Sequence, residues 1–213
     1  MSERPAEPND ASPFLPEKRS LAALRDAAGG CRGCHLWRGT TGTVFGEGLV
    51  RSRVMLVGEQ PGDREDLAGR PFVGPAGREL DKALVAAGIA RDEAYLTNVV
   101  KHFKFEQRGK RRIHQTPKRF EVDACRPWLD EELRVVAPEA LVILGATAAK
   151  ALLGTGFRVT RHRGELLDSE LAGIVTATIH PSAILRAPDD AARSEQREAL
   201  VADLAVVARA LAG

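Results

Sequence analysis

Side chains that can do acid–base chemistry follow the first apolar segment of the sequence. The hexapeptide GEQPGD at residues 58–63 comes directly after the apolar run Val54–Val57. Glycines on both sides permit a tight turn and a close approach of a ligand to the backbone. Glu59, Gln60 and Asp63 would then point polar groups into a cleft. An ordinary strand-to-loop turn is the alternative interpretation of this segment alone.

Two further residues are suited to recognising a planar base. Phe72 lies within GRPFVGPAG, residues 69–77, and a ring held rigidly in a loop can stack on a base. Asn98 closes the second apolar run, and its amide can pair with one edge of a pyrimidine. The alternatives are a core residue that anchors the loop for Phe72 and a turn former for Asn98.

The tripeptide His180-Pro181-Ser182 follows the fourth apolar run, and Leu185 and Arg186 lie just beyond it. A histidine at this place can stabilise negative charge that grows on a departing group. A Leu or Arg on the following loop can fill the gap left by an extruded base. A histidine that merely caps a loop is the alternative.

Residues 101–119, KHFKFEQRGKRRIHQTPKR, form a basic segment with interleaved aromatic rings. It carries eight Lys and Arg residues against the single acid Glu106. Cations beside aromatic rings suit a phosphate backbone and its bases. Within the segment, His114 is a competent nucleophile near neutral pH, since imidazole has a pKa of about 6.5. A solvated basic loop with a DNA-contacting histidine is the alternative.

Three cysteines have spacing typical of a metal site. Cys31 and Cys34 form a CxxC pair and Cys125 lies far along the chain. An iron–sulfur cubane has four protein ligands, and His102 is the best candidate for the fourth because His can replace Cys on an iron. Zinc held by three Cys and one His is an alternative, and three unligated thiols are another.

These residues need a scaffold, and the hydrophobic pattern predicts one. Short apolar runs predict buried strands, and amphipathic segments between them predict helices. Strands that alternate with helices indicate an α/β fold, a single-domain three-layer α/β/α sandwich around a four-stranded parallel sheet. Ligands bind at the carboxyl ends of such strands. The predicted strands are Val54–Val57, Tyr95–Val99, Leu141–Leu144 and Ile174–Ile179, and the predicted helices begin at Leu21 and cover Ala76–Ala87, Arg119–Val136, Ala146–Leu153 and part of Ala191–Leu211.

Composition limits the class of protein. The chain has 213 residues, enough for one core, and its net charge of +2 gives no global argument for a nucleic-acid partner. We expect residues 1–18 to form a mobile tail and residues 19–213 one domain. No apolar run approaches the roughly 20 residues that span a bilayer, and no signal peptide is evident. A cytoplasmic monomer that is not built on disulfides is the expectation.

Together these segments resemble the uracil-DNA glycosylase superfamily. The resemblance covers nearly all of the chain from Cys31 onward, and it rests on CxxC, GEQPGDREDLAGRPFVGPAGREL, TNVVK, ACRPWL, LGATA and HPSAILR. The first, third and last of these look like the iron–sulfur family four enzymes. The resemblance implies removal of uracil from DNA and a [4Fe–4S] cluster.

Two departures from family four carry information. Family four has a Cys directly after the NVVK-like strand, where this chain has His102, and this position supports His102 as the fourth cluster ligand. The loop from His102 to Thr116 is longer and contains GKRRIHQ, similar to the hallmark of the UdgX-type enzymes. In those enzymes a loop histidine becomes joined to the sugar after uracil leaves. His114 occupies that place, and Gln60 also fits the UdgX type.

The resemblance implies a role for each candidate residue. In the base pocket, Phe72 would stack on the flipped ring, Asn98 would read its edge, and His180 would stabilise the departing uracil. Ser182 and Arg186 would contact the substrate. Near the sugar, His114 would attack the anomeric carbon, and the residues around it would be Glu59 to orient or deprotonate it, Gln60 and Asp63 to shape the pocket, and Arg112 to hold the loop or a phosphate.

The expected partner is uracil-containing DNA, single-stranded in the first instance, with duplex DNA as an alternative. Two rival functions stay open at this point. One is a turnover uracil glycosylase in which His114 only contacts DNA. The other is a non-catalytic iron–sulfur or zinc protein that binds DNA.

Overall fold

The central sheet of the protein is parallel and four-stranded. The computed structural model describes residues 9–213. The four sheet strands lie in the order β2–β1–β5–β6, and all neighbours run parallel. This confirms the predicted sheet, with strand ends within one residue of those predicted. The strands are β1 Val54–Gly58, β2 Ala94–Asn98, β3 Phe105–Arg108, β4 Arg111–His114, β5 Ala140–Leu144 and β6 Ile174–Thr178.

Helices cover both faces of the sheet, so the three-layer architecture is confirmed. Successive side chains of a strand point to opposite faces, and the core accordingly divides in two. Met55 and Val57 of β1 pack on one side with residues of α1, α4 and α5. Leu56 packs on the other side with residues of α3, α7 and α8. The helices are α1 Leu21–Ala28, α2 Asp63–Ala68, α3 Pro75–Ala86, α4 Arg119–Val136, α5 Ala146–Leu153, α6 Val159–His162, α7 Ser182–Leu185 and α8 Asp190–Ala212.

The basic segment is not a plain loop, because β3 and β4 form an antiparallel hairpin within it. Phe105 pairs with His114 and Arg108 pairs with Arg111. A two-residue turn connects the strands, and Gly109 has the left-handed φ of +59° that such turns favour. His114 therefore ends a strand, where a fixed backbone holds it in place.

Part of the predicted mobile tail, residues 9–18, is docked on the domain. Residues 1–8 lie outside the described residues. Ala11 is buried, its N–H donates to the Ala124 carbonyl on α4 at 2.8 Å, and Phe14 and Leu15 pack on the core. The apolar residues of this short segment supply enough contact to dock it, so the packed structure begins before residue 19. No helix among the described residues is long and apolar enough to cross a membrane.

Candidate active site

The missing side chain of Gly58 creates the space at the centre of the site. Gly58 is the last residue of β1. A Cβ atom added to it would lie 2.4 Å from Asn98 Oδ1, 2.7 Å from Phe72 Cζ and 3.4 Å from His180 Nε2. Three residues that the sequence singled out in separate segments therefore meet at one point. They meet because the carboxyl ends of parallel strands share one edge of the sheet.

Phe72 is held in a strained backbone conformation. Its φ of +57° lies in the left-handed region, which few non-glycine residues adopt. Its ring is 6% exposed and lies 6.2 Å from the His180 ring, centroid to centroid, at an interplanar angle of 28°. A Cβ on Gly77 would come within 1.6 Å of the Phe72 carbonyl oxygen, so the loop packs directly on α3. The surroundings thus fix the position of the ring.

Glu65 on α2 braces this loop, and the sequence reasoning missed it. Its Oε2 accepts a hydrogen bond from the Gly62 N–H at 2.5 Å, and its Oε1 accepts one from the Gly74 N–H at 3.1 Å. One buried carboxylate thereby ties the turn after β1 to the loop of Phe72. The available signal was the position of Glu65 at the third residue of a helix, where a Glu often reaches back to the cap.

His180 is held as a neutral ring. The Ser182 backbone N–H donates to Nδ1 at 3.2 Å, and the Ser182 hydroxyl lies 2.8 Å from the same atom. Because Nδ1 accepts a backbone hydrogen bond, the proton of the neutral ring is assigned to Nε2, the atom that faces Gly58. Burial lowers the pKa of His180 to about 4, against an opposing effect of the Glu59 carboxylate.

Ser182 and Arg186 form a chain of contacts that leads to His180. Arg186 Nη1 donates to Ser182 Oγ at 2.8 Å, and Ser182 in turn contacts His180. Both side chains can therefore orient the imidazole. Arg186 is also exposed, and the expectation that the two residues contact the substrate stays a prediction. Leu185, the last residue of α7, is exposed.

Glu59, directly after β1, and His114, at the end of β4, lie side by side in the site. His114 Nε2 lies 3.3 Å from Glu59 Oε1, and the Thr147 hydroxyl donates to Glu59 Oε2. Burial raises the pKa of Glu59, but the hydrogen bonds from His114 and Thr147 outweigh burial and hold the pKa below its ordinary value. Glu59 is therefore an ionised acceptor at neutral pH. Thr147, in the first turn of α5, was part of LGATA but was not singled out.

Gln60 points at the hairpin. Its Oε1 accepts from the Lys104 N–H at 2.9 Å, and its Nε2 donates to the carbonyls of Lys104 and Gln115 at 3.2 and 3.0 Å. The buried amide thus clamps both ends of the hairpin to the turn after β1. Gln60 was predicted to shape the pocket near the anomeric carbon. Its amide is fully occupied in positioning the strand that carries His114.

Arg112 and Asp63 also fasten the hairpin. Arg112 Nε donates to Asp63 Oδ1 and Nη1 donates to the buried Asp66 Oδ2, both at 2.6 Å. The guanidinium carbon lies 5.4 and 5.2 Å from the ring centroids of Phe103 and Phe105. Of the two roles expected for Arg112, the structure favours holding the loop over binding a phosphate. The Asp63 carboxylate is bound to Arg112 instead of lining the pocket.

The basic segment contributes fewer free cations than its sequence suggests. Lys101 is fully buried in an ion pair with Glu132, and Lys104 pairs with Glu121 at 2.8 Å. At the hairpin tip, Lys110 and Arg111 are exposed and have no ion-pair partner among the described residues. Lys118, just before α4, is likewise exposed and without an ion-pair partner among the described residues. The positive charge of this segment that is available to a polyanion therefore lies at the hairpin tip and at Lys118.

Comparisons with known proteins agree with this site. The sequence matches the family described as the uracil DNA glycosylase superfamily over residues 45–205. A type-4 uracil-DNA glycosylase of Pyrobaculum aerophilum is 38% identical over 175 residues, which cover 79% of this chain and 86% of the relative. Type-4 relatives from Sulfurisphaera tokodaii and Thermotoga maritima are 35% and 38% identical over 178 and 157 residues, covering 80% and 73% of this chain and 78% of each relative.

The chain belongs to the uracil-DNA glycosylase superfamily. The resemblance based on motifs is confirmed at this level, with type-4 enzymes among the relatives. The UdgX-type features, which are the longer basic segment and its histidine, stay predictions.

The cysteines of this glycosylase superfamily member lie in one cluster. Cys31 and Cys125 are buried and Cys34 is half-buried. Trp128 Nε1 donates to Cys31 Sγ, and the Lys101 N–H donates to Cys125 Sγ, both at 3.3 Å. Burial is the main reason why the pKa of Cys125 is raised to about 12; the other two cysteines act in the same direction, and Lys101 opposes them. Three soft ligands thus lie near one another, as an iron–sulfur group requires.

The fourth expected ligand is not brought to the thiols. His102 is buried and its Nε2 lies 3.1 Å from the Thr43 hydroxyl. Among the described residues, no group of three or more His, Cys, Asp and Glu side chains is arranged to hold a metal ion. The donor types therefore suit a cluster, but their arrangement in this structure does not form its site. No step of the chemistry below depends on a cluster.

The hydrogen bonds of Gln60 predict that the hairpin becomes less ordered when the Gln60 amide is removed. In Gln60→Leu, the Lys104 N–H and the Gln115 carbonyl lose their partner, at up to about 1–3 kcal/mol for each group left unpaired. The Lys104 carbonyl keeps its hydrogen bond from the Gln115 N–H. Hydrogen exchange at the Lys104 amide should become at least tenfold faster while the central strands exchange as before. The exposed Gln107→Leu on the same hairpin should leave the Lys104 amide unchanged. Unaltered protection in Gln60→Leu would refute the clamp.

The neutral state of His180 predicts the pH dependence of stability. The folded ring binds its proton only near pH 4, whereas the unfolded chain binds it near the ordinary pKa of about 6.5. Between these values the unfolded state holds more protons, so the free energy of unfolding falls as the pH drops from about 6.5 to 4. Thermal melts should show this slope reduced in His180→Gln and retained in the exposed His162→Gln. A ring titration near pH 6.5 in NMR spectra would contradict the assignment.

Proposed function

We propose that the protein excises uracil from DNA. The observation that carries the proposal is the meeting of Asn98, Phe72 and His180 around the bare backbone of Gly58. The similarity to type-4 uracil-DNA glycosylases supports the same substrate. A base inside a duplex cannot reach such a pocket, so it must be flipped out or met in a single strand.

The pocket is suited to reading a uracil edge. Asn98 is 3% exposed, and no described residue hydrogen-bonds to its side-chain amide. This amide offers a donor and an acceptor to the base while Phe72 stacks on the ring. Cytosine presents the reverse pattern at its position four, so its binding leaves buried groups unpaired and is disfavoured.

His180 and Glu59 act on the two fragments that separate. The glycosidic bond breaks with its electron pair on uracil N1, and the Nε2–H of neutral His180 stabilises the developing negative charge. The sugar becomes electron-deficient, and the ionised Glu59 carboxylate stabilises it. Because burial lowers its pKa, His180 is neutral at the working pH, and its Nε2–H donates to the anion without the cost of a buried positive charge.

Two acceptors can complete the reaction. Similarity to type-4 enzymes favours water, which gives free abasic DNA and repeated turnover. The second candidate is His114, and the observation that favours it is its place on a clamped strand beside Glu59. In that case a ring nitrogen forms a bond to the anomeric carbon, uracil leaves with the electron pair, and the remaining ring proton passes to Glu59.

Contacts outside the pocket are proposed for the rest of the DNA. Lys110 and Arg111 at the hairpin tip would meet phosphates, since both are exposed and unpaired among the described residues. The exposed Leu185 would fill the gap left by the extruded base. Phosphate contacts of this kind are weakened by salt, so binding should fall as ionic strength rises.

We further propose that the three cysteines hold a [4Fe–4S] cluster. His102 is the proposed fourth ligand, and its ring would have to turn away from the Thr43 hydroxyl to bind. A cluster there would supply no chemistry to base excision. It would tie the segment of Cys31 and Cys34 to α4, which carries Cys125, and to the start of the basic segment. Zinc on the same ligands is the alternative that metal analysis separates.

Uracil release from a labelled single strand tests the function and the acceptor together. The wild type should release uracil, and Asn98→Ala should lower the rate about 100-fold or more by removing the edge contacts. Attack by His114 predicts a protein–DNA band that survives boiling in detergent and disappears in His114→Ser, which should instead leave alkali-labile abasic sites. Alkali-labile sites without that band would establish water as the acceptor. No uracil release at all would refute the proposed function.

Metal analysis tests the cluster. Purified wild type should contain about four iron atoms per chain with visible absorption, as the proposed cubane requires. Cys125→Ala should lose iron, and His102→Ala should lose part of it, while the remote His162→Ala keeps it. Zinc in the wild type would rule out the iron–sulfur cluster, and unchanged iron in Cys125→Ala would rule out the proposed ligand set.

A further inference from the structure

A fully buried ion pair lies directly beneath the base-reading residue. Lys101 and Glu132 are both 0% exposed, and their side chains form a salt bridge. Neither residue reaches the pocket, and the chemistry described above uses neither. Burying two charges costs several kcal/mol in desolvation, and such a pair often contributes no more stability than apolar residues of the same size. Its position therefore calls for another explanation.

The ammonium of Lys101 turns back on the residue that reads the base. Lys101 Nζ donates to the backbone carbonyl of Asn98 at 2.7 Å and to the Thr97 hydroxyl at 2.6 Å. Asn98 is the last residue of β2, so its carbonyl is at the point where the regular sheet ends. Beyond it, the N–H groups of Val99 and Val100 donate to the carbonyls of Gly58 and Glu59. A hydrogen bond from the Lys101 side chain to the Asn98 carbonyl therefore closes the segment 98–101 into a loop. Two backbone hydrogen bonds join this loop to the turn after β1.

Glu132 anchors this arrangement to α4. Its Oε1 accepts from the Tyr95 hydroxyl at 2.9 Å, from the Thr97 hydroxyl at 3.0 Å and from the Gly46 N–H at 3.0 Å. The carboxylate therefore joins β2, the chain before β1 and the ammonium of Lys101 in one network. The Phe45 ring centroid lies 5.6 Å from Lys101 Nζ and helps keep water away.

We propose that Lys101 is a positioning residue for uracil recognition, which fixes the end of β2 so that the Asn98 amide faces the base. The proposal rests on the proposed function and deepens it. Lys101 touches neither substrate nor reacting atoms and acts through Asn98. A displacement of the order of 1 Å at a recognition group can lower a rate about 100-fold, so loss of this bond should be visible in the chemical step.

Three variants separate positioning from stability. Lys101→Met leaves the Glu132 carboxylate buried and unpaired, and should lower the melting temperature by about 10 °C. Lys101→Met combined with Glu132→Gln removes both charges. The Gln amide oxygen can still accept hydrogen bonds from Tyr95, Thr97 and Gly46. The melting temperature of this double variant should therefore return to near that of the wild type. Glu132→Gln alone removes the counter-ion of Lys101 but keeps the hydrogen bonds from Lys101 Nζ to Asn98 and Thr97.

The test measures single-turnover uracil release, DNA affinity and melting temperature for all of these proteins, with Val207→Ala in α8 as a control for loss of core packing. Positioning by Lys101 predicts a rate about 100-fold lower in the double variant despite its recovered stability. Glu132→Gln and Val207→Ala, although less stable, should keep rates within a few-fold of the wild type. DNA affinity should be unchanged throughout, because phosphate contacts lie elsewhere.

Each other outcome overturns a distinct claim. If the rate of the double variant recovers with its melting temperature, Lys101 is a structural residue and the positioning role is wrong. The same conclusion follows if the rates of all variants simply track their melting temperatures. Absence of uracil release by the wild type overturns the proposed function, and the positioning role with it.

Discussion

The lack of a side chain at residue 58 is the constraint on which the rest of the site depends. Any Cβ at this position would collide with the Asn98 amide and the Phe72 ring. The space it leaves is lined by groups from three separate segments, and only a parallel sheet brings those segments to one edge. The strained φ of Phe72 is tolerated because Glu65 and the close contact at Gly77 hold the loop on either side.

The second half of the site depends on a hairpin that the sheet does not include. The hairpin is short, basic and largely exposed, and two strands alone have little stability in water. Gln60 supplies hydrogen bonds to both of its ends, and Arg112 joins it to α2 through two carboxylates. These contacts place His114 beside Glu59, so the geometry of a possible covalent step is set by residues that themselves do no chemistry.

Sequence reasoning predicted those parts of the molecule that depend on local pattern. Four apolar runs between turn signals predicted the strands, and the rule for strand ends predicted that the turn after β1, Asn98 and His180 lie together. That rule did not include Phe72, which lies in the loop between α2 and α3. It failed where a residue's role depends on distant partners. Gln60 binds groups 44 and 55 positions away, and no local pattern indicates that. Lys101 stands in a basic run that favours solvent, yet Glu132, 31 positions on, holds it in the core.

Other errors have equally physical causes. The hairpin was taken for a loop because its many charged residues obscure the alternation of polar and apolar residues that is typical of strands. Gly109, in a two-residue turn, was an available signal. The terminal segment before residue 19 was taken for a tail because its Pro and Glu content outweighed the few apolar residues that dock it.

Recognition of uracil by Asn98 above the backbone of Gly58 is the step on which the proposed reaction depends. It can be tested by a crystal structure with a single strand carrying 2′-fluoro-2′-deoxyuridine, in which fluorine slows bond breakage. The uracil ring should stack on Phe72, its edge should hydrogen-bond to the Asn98 amide, and its O2 should face His180 Nε2. A base bound elsewhere, or one in this pocket without contact to Asn98, would contradict it.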